Sequence, residues 1–221
     1  MATKVRKEYT YEIEKLHIEF NKLGGLVVEQ LNRVLKSFNE NDLTLAGEII
    51  ENDQVINQME LYLEQKSIQI IALQAPVTAD LRKVITVLKA SSDLERIGDR
   101  VKSIAKIIKQ MPESSNFLEI KDQILIMGNK VKEMIQKVME AFIQQDTVKA
   151  EQVAAMDEEI DRIRNQVRED TFTILTDDPH NAEAATEYFN IAQNLERIGD
   201  YAKNVAEWVL YLESGQIVDL D

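Results

Sequence analysis

Leu94-Glu-Arg-Ile-Gly-Asp99 recurs without change as Leu195-Glu-Arg-Ile-Gly-Asp200, at an offset of 101 residues in a chain of 221. Self-similarity at a fixed spacing marks repeated structural units. The match also runs past the hexapeptide, because Lys102 and Ala105 correspond to Lys203 and Ala206. The chain therefore divides into two related halves, residues 1–113 and 114–221.

Working outward, polar and proline-containing stops cut each half into three. They are Asn39-Glu-Asn-Asp42, Gln74-Ala-Pro76, Met111-Pro-Glu-Ser-Ser-Asn116, Gln144-Gln-Asp146 and Thr176-Asp-Asp-Pro-His-Asn181. Between them lie segments of roughly 28–36 residues with helical periodicity. Phe20, Leu23, Val27, Val34 and Phe38 recur at spacings of three, four or seven, as do Met127, Val131, Met134, Val138 and Ala141. Pro76 and Pro179 are expected in the first turn of a helix, where a missing N–H costs nothing, with Asp178 as an N-cap. The composition agrees: Gly is 7 and Pro is 3, far too few for the frequent turns of an all-β fold. The expected fold is all-α, two tandem, sequence-related antiparallel three-helix bundles with the break near Pro112–Asn116.

Charge narrows the function. The net charge of −13 argues against nucleic acid as a partner, because duplex affinity rests on Lys and Arg neutralising phosphates. Residues 1–113 carry 16 Lys and Arg against 17 Asp and Glu, and residues 114–221 carry 10 against 22. Nearly all the acidity thus belongs to the second half. Cys is absent, which removes disulfides and thiolate chemistry. The two His, His17 and His180, read as isolated surface residues. The N-terminus lacks an apolar signal core and no stretch approaches the length of a membrane span, so no membrane insertion and a cytoplasmic location are expected. No Gly-rich phosphate loop or nucleophile elbow occurs.

The hexapeptide itself carries the candidate chemistry. Glu95 with Asp99, and Glu196 with Asp200, stand at i and i+4, so each pair of carboxylates shares one helix face. Arg96 and Arg197 could balance them as a plain charged surface. Gly98 and Gly199, however, each sit inside a helix at a cost of about 1 kcal/mol, which suits a close approach to the backbone. The preceding helix of each half offers another such pair, Asp53 with Asn57 and Asp157 with Asp161. Counted from the turns at Pro76 and Pro179, these come level with the motif. Carboxylates and carboxamides without Cys or His make an all-oxygen site for a hard cation: Mg²⁺, Mn²⁺, Ca²⁺ or an oxygen-bridged iron cluster. The second half, with four carboxylates and Asn204 one turn on, is expected to hold cations more tightly than the first, which has Asn57 and Ser103. A metal-dependent enzyme or metal store on these clusters is the alternative function. Tyr201, Trp208 and Tyr211 are expected to cap the core along the last helix.

Two copies of Leu-Glu-Arg-Ile-Gly-Asp about 100 residues apart, each closing a three-helix unit, resemble the PhoU family of phosphate-transport regulators. Leu73-Gln-Ala-Pro-Val-Thr-Ala-Asp-Leu-Arg82 is similar to that family's approach to its third helix, and Asp53-Gln-Val-Ile-Asn57 to its second-helix motif. The likeness runs from about Tyr9 to Leu212. The second half departs from it at Asp177-Asp-Pro-His-Asn181, which leaves Asp80 and Arg82 without counterparts. The resemblance implies a cytoplasmic, non-enzymatic protein that forms a homodimer and restrains phosphate uptake and the phosphate-starvation response. Its implied partners are the ATPase of the phosphate ABC transporter and a membrane sensor histidine kinase. It also implies a divalent or trivalent cation (Fe, Mn or Mg, in multinuclear form) on Glu95, Asp99, Glu196 and Asp200, with Asp53, Asn57, Asp157 and Asp161 beside them.

Overall fold

The computed structural model describes residues 2–112 and 117–220. The expected break at 112–116, and with it the division between residues 113 and 114, lies almost wholly outside the described residues. Three helices precede it: α1 (Ala2–Glu40), α2 (Leu43–Gln74) and α3 (Thr78–Gln110). Four follow: α4 (Leu118–Gln144), α5 (Thr147–Ala155), α6 (Asp157–Asp177) and α7 (Ala182–Ser214), with a single 3₁₀ turn at Pro179–Asn181. No strand occurs among the described residues, and none of their helices is long and apolar enough to cross a membrane.

The helix starts follow from local chemistry. The Asp42 carboxylate accepts from the Leu45 amide at 2.9 Å and Asp146 from the Lys149 amide at 3.0 Å. Each satisfies one of the orphan N–H groups of the first turn. Asp178 does the same for His180 at 3.1 Å, with Pro179 at the first position of the 3₁₀ turn as expected. Pro76 differs. α3 begins at Thr78 with Val77 as its N-cap, so Pro76 lies outside the helix. Its ring disfavours the right-handed helical region at Ala75, and Ala75 ends α2 in the left-handed region with φ 45°.

The second half also departs from three continuous helices. Its middle segment is interrupted at Met156, whose amide bonds back to Val153 at 3.1 Å in place of a full α-helical turn. α6 then opens with Asp157, Glu158 and Glu159 in its first turn. Carboxylates there face the positive end of the helix dipole. Asp157 therefore starts a helix, whereas its counterpart Asp53 lies inside one.

The two bundles pack along a shared seam, α3 against α7 and α1 against α4, and their apolar residues merge into one core. Phe20 of α1 and Phe142 of α4 are both fully buried, with ring centroids 4.3 Å apart. The Trp208 indole N–H donates to Asp93 Oδ2 across the seam at 3.0 Å, and Arg96 lies over the Tyr201 ring. Trp208 and Tyr201 pack against the core as expected, and these contacts also make them bridge the halves, while Tyr211 packs edge-on against Trp208.

His17 is likewise no surface residue. α4 covers it, its ring lies 5.4 Å from Phe142, and its Nε2 is buried without a partner. Burial, helped by the Lys83 charge, lowers its pKa to about 4. Between about pH 6.5 and 4 the unfolded chain accordingly takes up a proton that the folded chain refuses, so this contribution is lost as the pH falls. The shift corresponds to about 3 kcal/mol. His17→Leu is therefore expected to lose less stability than the wild type between pH 7 and pH 4 in urea titrations. Parallel losses in the two proteins would contradict that assignment.

Candidate functional site

The candidate ligands lie on neighbouring helices in each half. Asp53 and Asn57 belong to α2 beside Glu95 and Asp99 of α3, where the Asp99 and Asp53 charges act on Glu95. Asp157 and Asp161 belong to α6 beside Glu196 and Asp200 of α7, where the Asp200 and Asp161 charges act on both Asp157 and Glu196. The packing behind each place follows from the glycine of the motif. A Cβ on Gly98 would stand 3.1 Å from two carbons of Ile56, so the glycine lets α2 lie close against α3. On Gly199 it would stand 3.2 Å from Asp157 Oδ1, so here the glycine admits a carboxylate to the backbone of α7.

In the first cluster Asp53 is buried, and its Oδ2 accepts from Lys102 Nζ at 2.6 Å and from the Asn57 amide at 3.4 Å. Hydrogen bonding to Asp53 raises the Lys102 pKa, and the Asp53, Asp99 and Glu95 charges add to the effect. Burial pushes Glu95 above the usual carboxylate range, reinforced by Asp99, Glu60 and Asp53. Ser103 turns its hydroxyl to the Asp99 carbonyl at 2.8 Å.

The second cluster repeats the lysine, with Lys203 Nζ 3.3 Å from Asp157 Oδ2. It adds arginines. Arg164 lies 3.7 Å from Asp161 and 3.5 Å from Glu196, and Arg197 reaches Asp200 at 3.1 Å. Burial raises Asp157, with Asp200 and Asp161 acting in the same direction against Lys203. Burial likewise raises Glu196, seconded by Asp200 and Asp161. For Glu95, Asp157 and Glu196 the folded state holds protons more strongly than the unfolded one. Ionising them costs stability as the pH rises past the ordinary carboxylate range, and a cation among them would offset that cost.

Asn204 does not join the second cluster. It hydrogen-bonds Asp93 and lines a cleft with Trp208 at the seam. Conversely, Lys102 and Lys203 belong to the clusters although the carboxylate spacing did not single them out. The signal was present in the repeat, which extends to both lysines.

The donor chemistry suits a hard cation. Every candidate ligand atom is oxygen, and Asp53 Oδ1, Asn57 Oδ1 and Asp157 Oδ1 are buried with no hydrogen-bond donor. Such orphaned acceptors are uncommon in folded proteins. Among the described residues, however, no three His, Cys, Asp or Glu side chains already stand as a ready coordination set. The cation nearest to Asp53 is Lys102 and that nearest to Asp157 is Lys203, whereas Asp161 pairs with Arg164.

Comparison with known proteins agrees with the doubled architecture. The model of the PhoU domain matches twice, over residues 20–108 and 124–209. A relative from Clostridium acetobutylicum, described as a phosphate-specific transport system accessory protein PhoU homolog, is 34% identical over 217 residues, covering 98% of this chain and 99% of its own. One from Streptococcus pneumoniae serotype 4 with the same description is 33% identical, covering 98% and 100%. Among solved structures, the phosphate transport system regulatory protein PhoU from Streptococcus pneumoniae superposes with a TM-score of 0.90 at 33% identity, over 96% of this chain and 99% of that one. PhoU from Pseudomonas aeruginosa gives 0.90 at 32% identity, over 94% and 100%.

Proposed function

We propose, from the premise that the chain belongs to the PhoU domain family, that it is an accessory regulator of a phosphate transport system. It acts in the cytoplasm as a non-catalytic homodimer and restrains the phosphate ABC transporter by docking on its ATPase. It also relays phosphate status to a membrane sensor histidine kinase. The observation that carries this reading is the likeness of nearly the whole chain, both motif copies included, to proteins described as phosphate-transport accessories. Affinity-tagged chain expressed in its own cells is expected to co-purify the transporter ATPase, and deletion of its gene to derepress phosphate-responsive transcription. Unchanged phosphate uptake together with unchanged reporters after deletion would defeat the proposal.

The same reading gives the carboxylate clusters a cation. Asp53, Asn57, Glu95 and Asp99 would hold it in the first half, and Asp157, Asp161, Glu196 and Asp200 in the second. Bound there, Mg, Mn or Fe would supply positive charge that offsets the mutual repulsion of the carboxylates. The chain's own residues do the rest: Gly199 gives Asp157 room against α7, and Lys203 holds Asp157 in place meanwhile. Elemental analysis of protein purified without chelator should find metal in the wild type. The variant carrying Asp157→Ala, Asp161→Ala, Glu196→Ala and Asp200→Ala should lose at least half of it. Equal, negligible metal in both would dispose of the cation.

A further inference from the structure

A cleft of about 300 Å³ opens where α3, α6 and α7 meet, lined by Arg100, Arg164, Gln193, Asn194, Glu196 and Arg197. Three guanidiniums from three helices thus face one carboxylate, in the neighbourhood of the more acidic half of an acidic chain. Arg100 comes from the first half and the others from the second, so the cleft lies on the seam.

The arginines are poorly matched by their own protein. Arg100 makes no ion pair or hydrogen bond with any described residue. Arg164 stands 3.5 Å from Glu196, and the Arg197 Nε is also 3.5 Å from it. Direct charge-assisted hydrogen bonds run to about 2.7–2.9 Å, so Glu196 holds neither firmly. Only the Arg197–Asp200 contact at 3.1 Å is close. Among the lining residues three guanidiniums therefore meet one carboxylate, while Asp161, 3.7 Å from Arg164, and Asp200 lie outside the lining, and the Gln193 side chain adds a neutral amide at the exposed lip.

We propose that this cleft binds a phosphoryl oxyanion, held by Arg100, Arg164 and Arg197 across the seam between the halves. Guanidinium presents paired N–H groups that match two oxygens of one phosphate, which is why arginine clusters recognise this group. At about 30 Å³ per water in the liquid, the cleft has room for roughly ten waters, enough for orthophosphate or for the terminal phosphates of a nucleotide. Bound there, the anion touches residues of both halves and ties α3 to α6 and α7. The inference goes beyond transporter regulation and stands without it: a protein that never meets the transporter would still bind the anion.

Isothermal titration calorimetry on the full chain, in EDTA and at constant ionic strength, tests the site with orthophosphate, pyrophosphate and ATP against chloride. Saturable binding of at least one of the three is expected, weakened about tenfold or more by Arg100→Gln. Gln193→Glu, which adds a negative charge at an exposed position and leaves the packing alone, should weaken it similarly. Arg162→Gln, outside the cleft, should bind as the wild type does. Saturation by orthophosphate identifies the free ion as ligand, and saturation by pyrophosphate or ATP alone identifies a larger phosphorylated molecule. The absence of saturable heat with all three, or undiminished binding by both Arg100→Gln and Gln193→Glu, overturns the proposal.

Discussion

Lys102→Met is expected to cost about 3 kcal/mol of stability at pH 7, because it strands the buried Asp53 carboxylate. Lys102 Nζ is the short contact of Asp53 Oδ2 at 2.6 Å, and Asp53 Oδ1 already lacks a donor. With the ammonium gone, only the Asn57 amide at 3.4 Å remains to that carboxylate. Methionine matches the length of the lysine stem, so packing is largely kept and the loss reads the charge. Converting Asp53 to Asn in the Lys102→Met background should recover most of it, since the stranded charge is then removed. The pH dependence has a definite sign. The folded pKa of Lys102 is raised, so its contribution is complete below the unfolded value of about 10.4 and is lost as pH rises through the folded one. The gap between wild type and Lys102→Met should therefore narrow at alkaline pH. Urea titrations in chelator buffer measure all of this, and a single variant as stable as the wild type would refute the role given to Lys102.

Phe142→Ala should cost about 3–5 kcal/mol, the range for removing a buried aromatic ring. For a chain of this size that lowers the melting midpoint by about 10 °C. Phe142 is 1% exposed and packs on Phe20, so the cavity opens between α1 and α4, that is, between the halves. Phe20→Ala and the double variant complete a cycle, and the coupling energy should be about 0.5–1.5 kcal/mol. The change should also reach His17, whose ring lies 5.4 Å from Phe142. Exposing that imidazole returns its pKa toward 6.5, so the variant should lose less stability than the wild type on going from pH 7 to pH 4. Calorimetry at the two pH values measures both effects. A Phe142→Ala midpoint within 2–3 °C of the wild type, where about 10 °C is expected, would show that the ring is not central to the joint core.

What the sequence disclosed, it disclosed through local chemistry and repetition. Asp42, Asp146 and Asp178 are capping residues whose partners lie within three positions, so the helix starts they mark were legible. Equal distances to a turn placed Asp53 on the helix beside that of Glu95, and the Asp53 charge does act on Glu95. The seam was not legible in this way. Apolar spacing tells which face of a helix is buried but not what covers it, and Trp208 meets Asp93 across 115 residues of chain. The burial of His17 against Phe142 is hidden for the same reason, because nothing near it in sequence announces α4. The interruption at Met156 falls among Ala154, Ala155 and Met156, all good helix formers. Only the acidic run Asp157–Glu159 hinted that a new helix begins there. Lys102 and Lys203 were in view as part of the repeat, but carboxylate spacing alone drew the site too narrowly.

That interruption makes the duplicated chemistry mechanically unequal. Asp53 is built into a continuous rod from Leu43 to Gln74 and shifts only if the whole rod shifts. Asp157 is instead the first residue of α6, directly after the turn at Met156, so its position is set by where that helix begins. One carboxylate is held from both sides along a rod, and the other stands at the head of one.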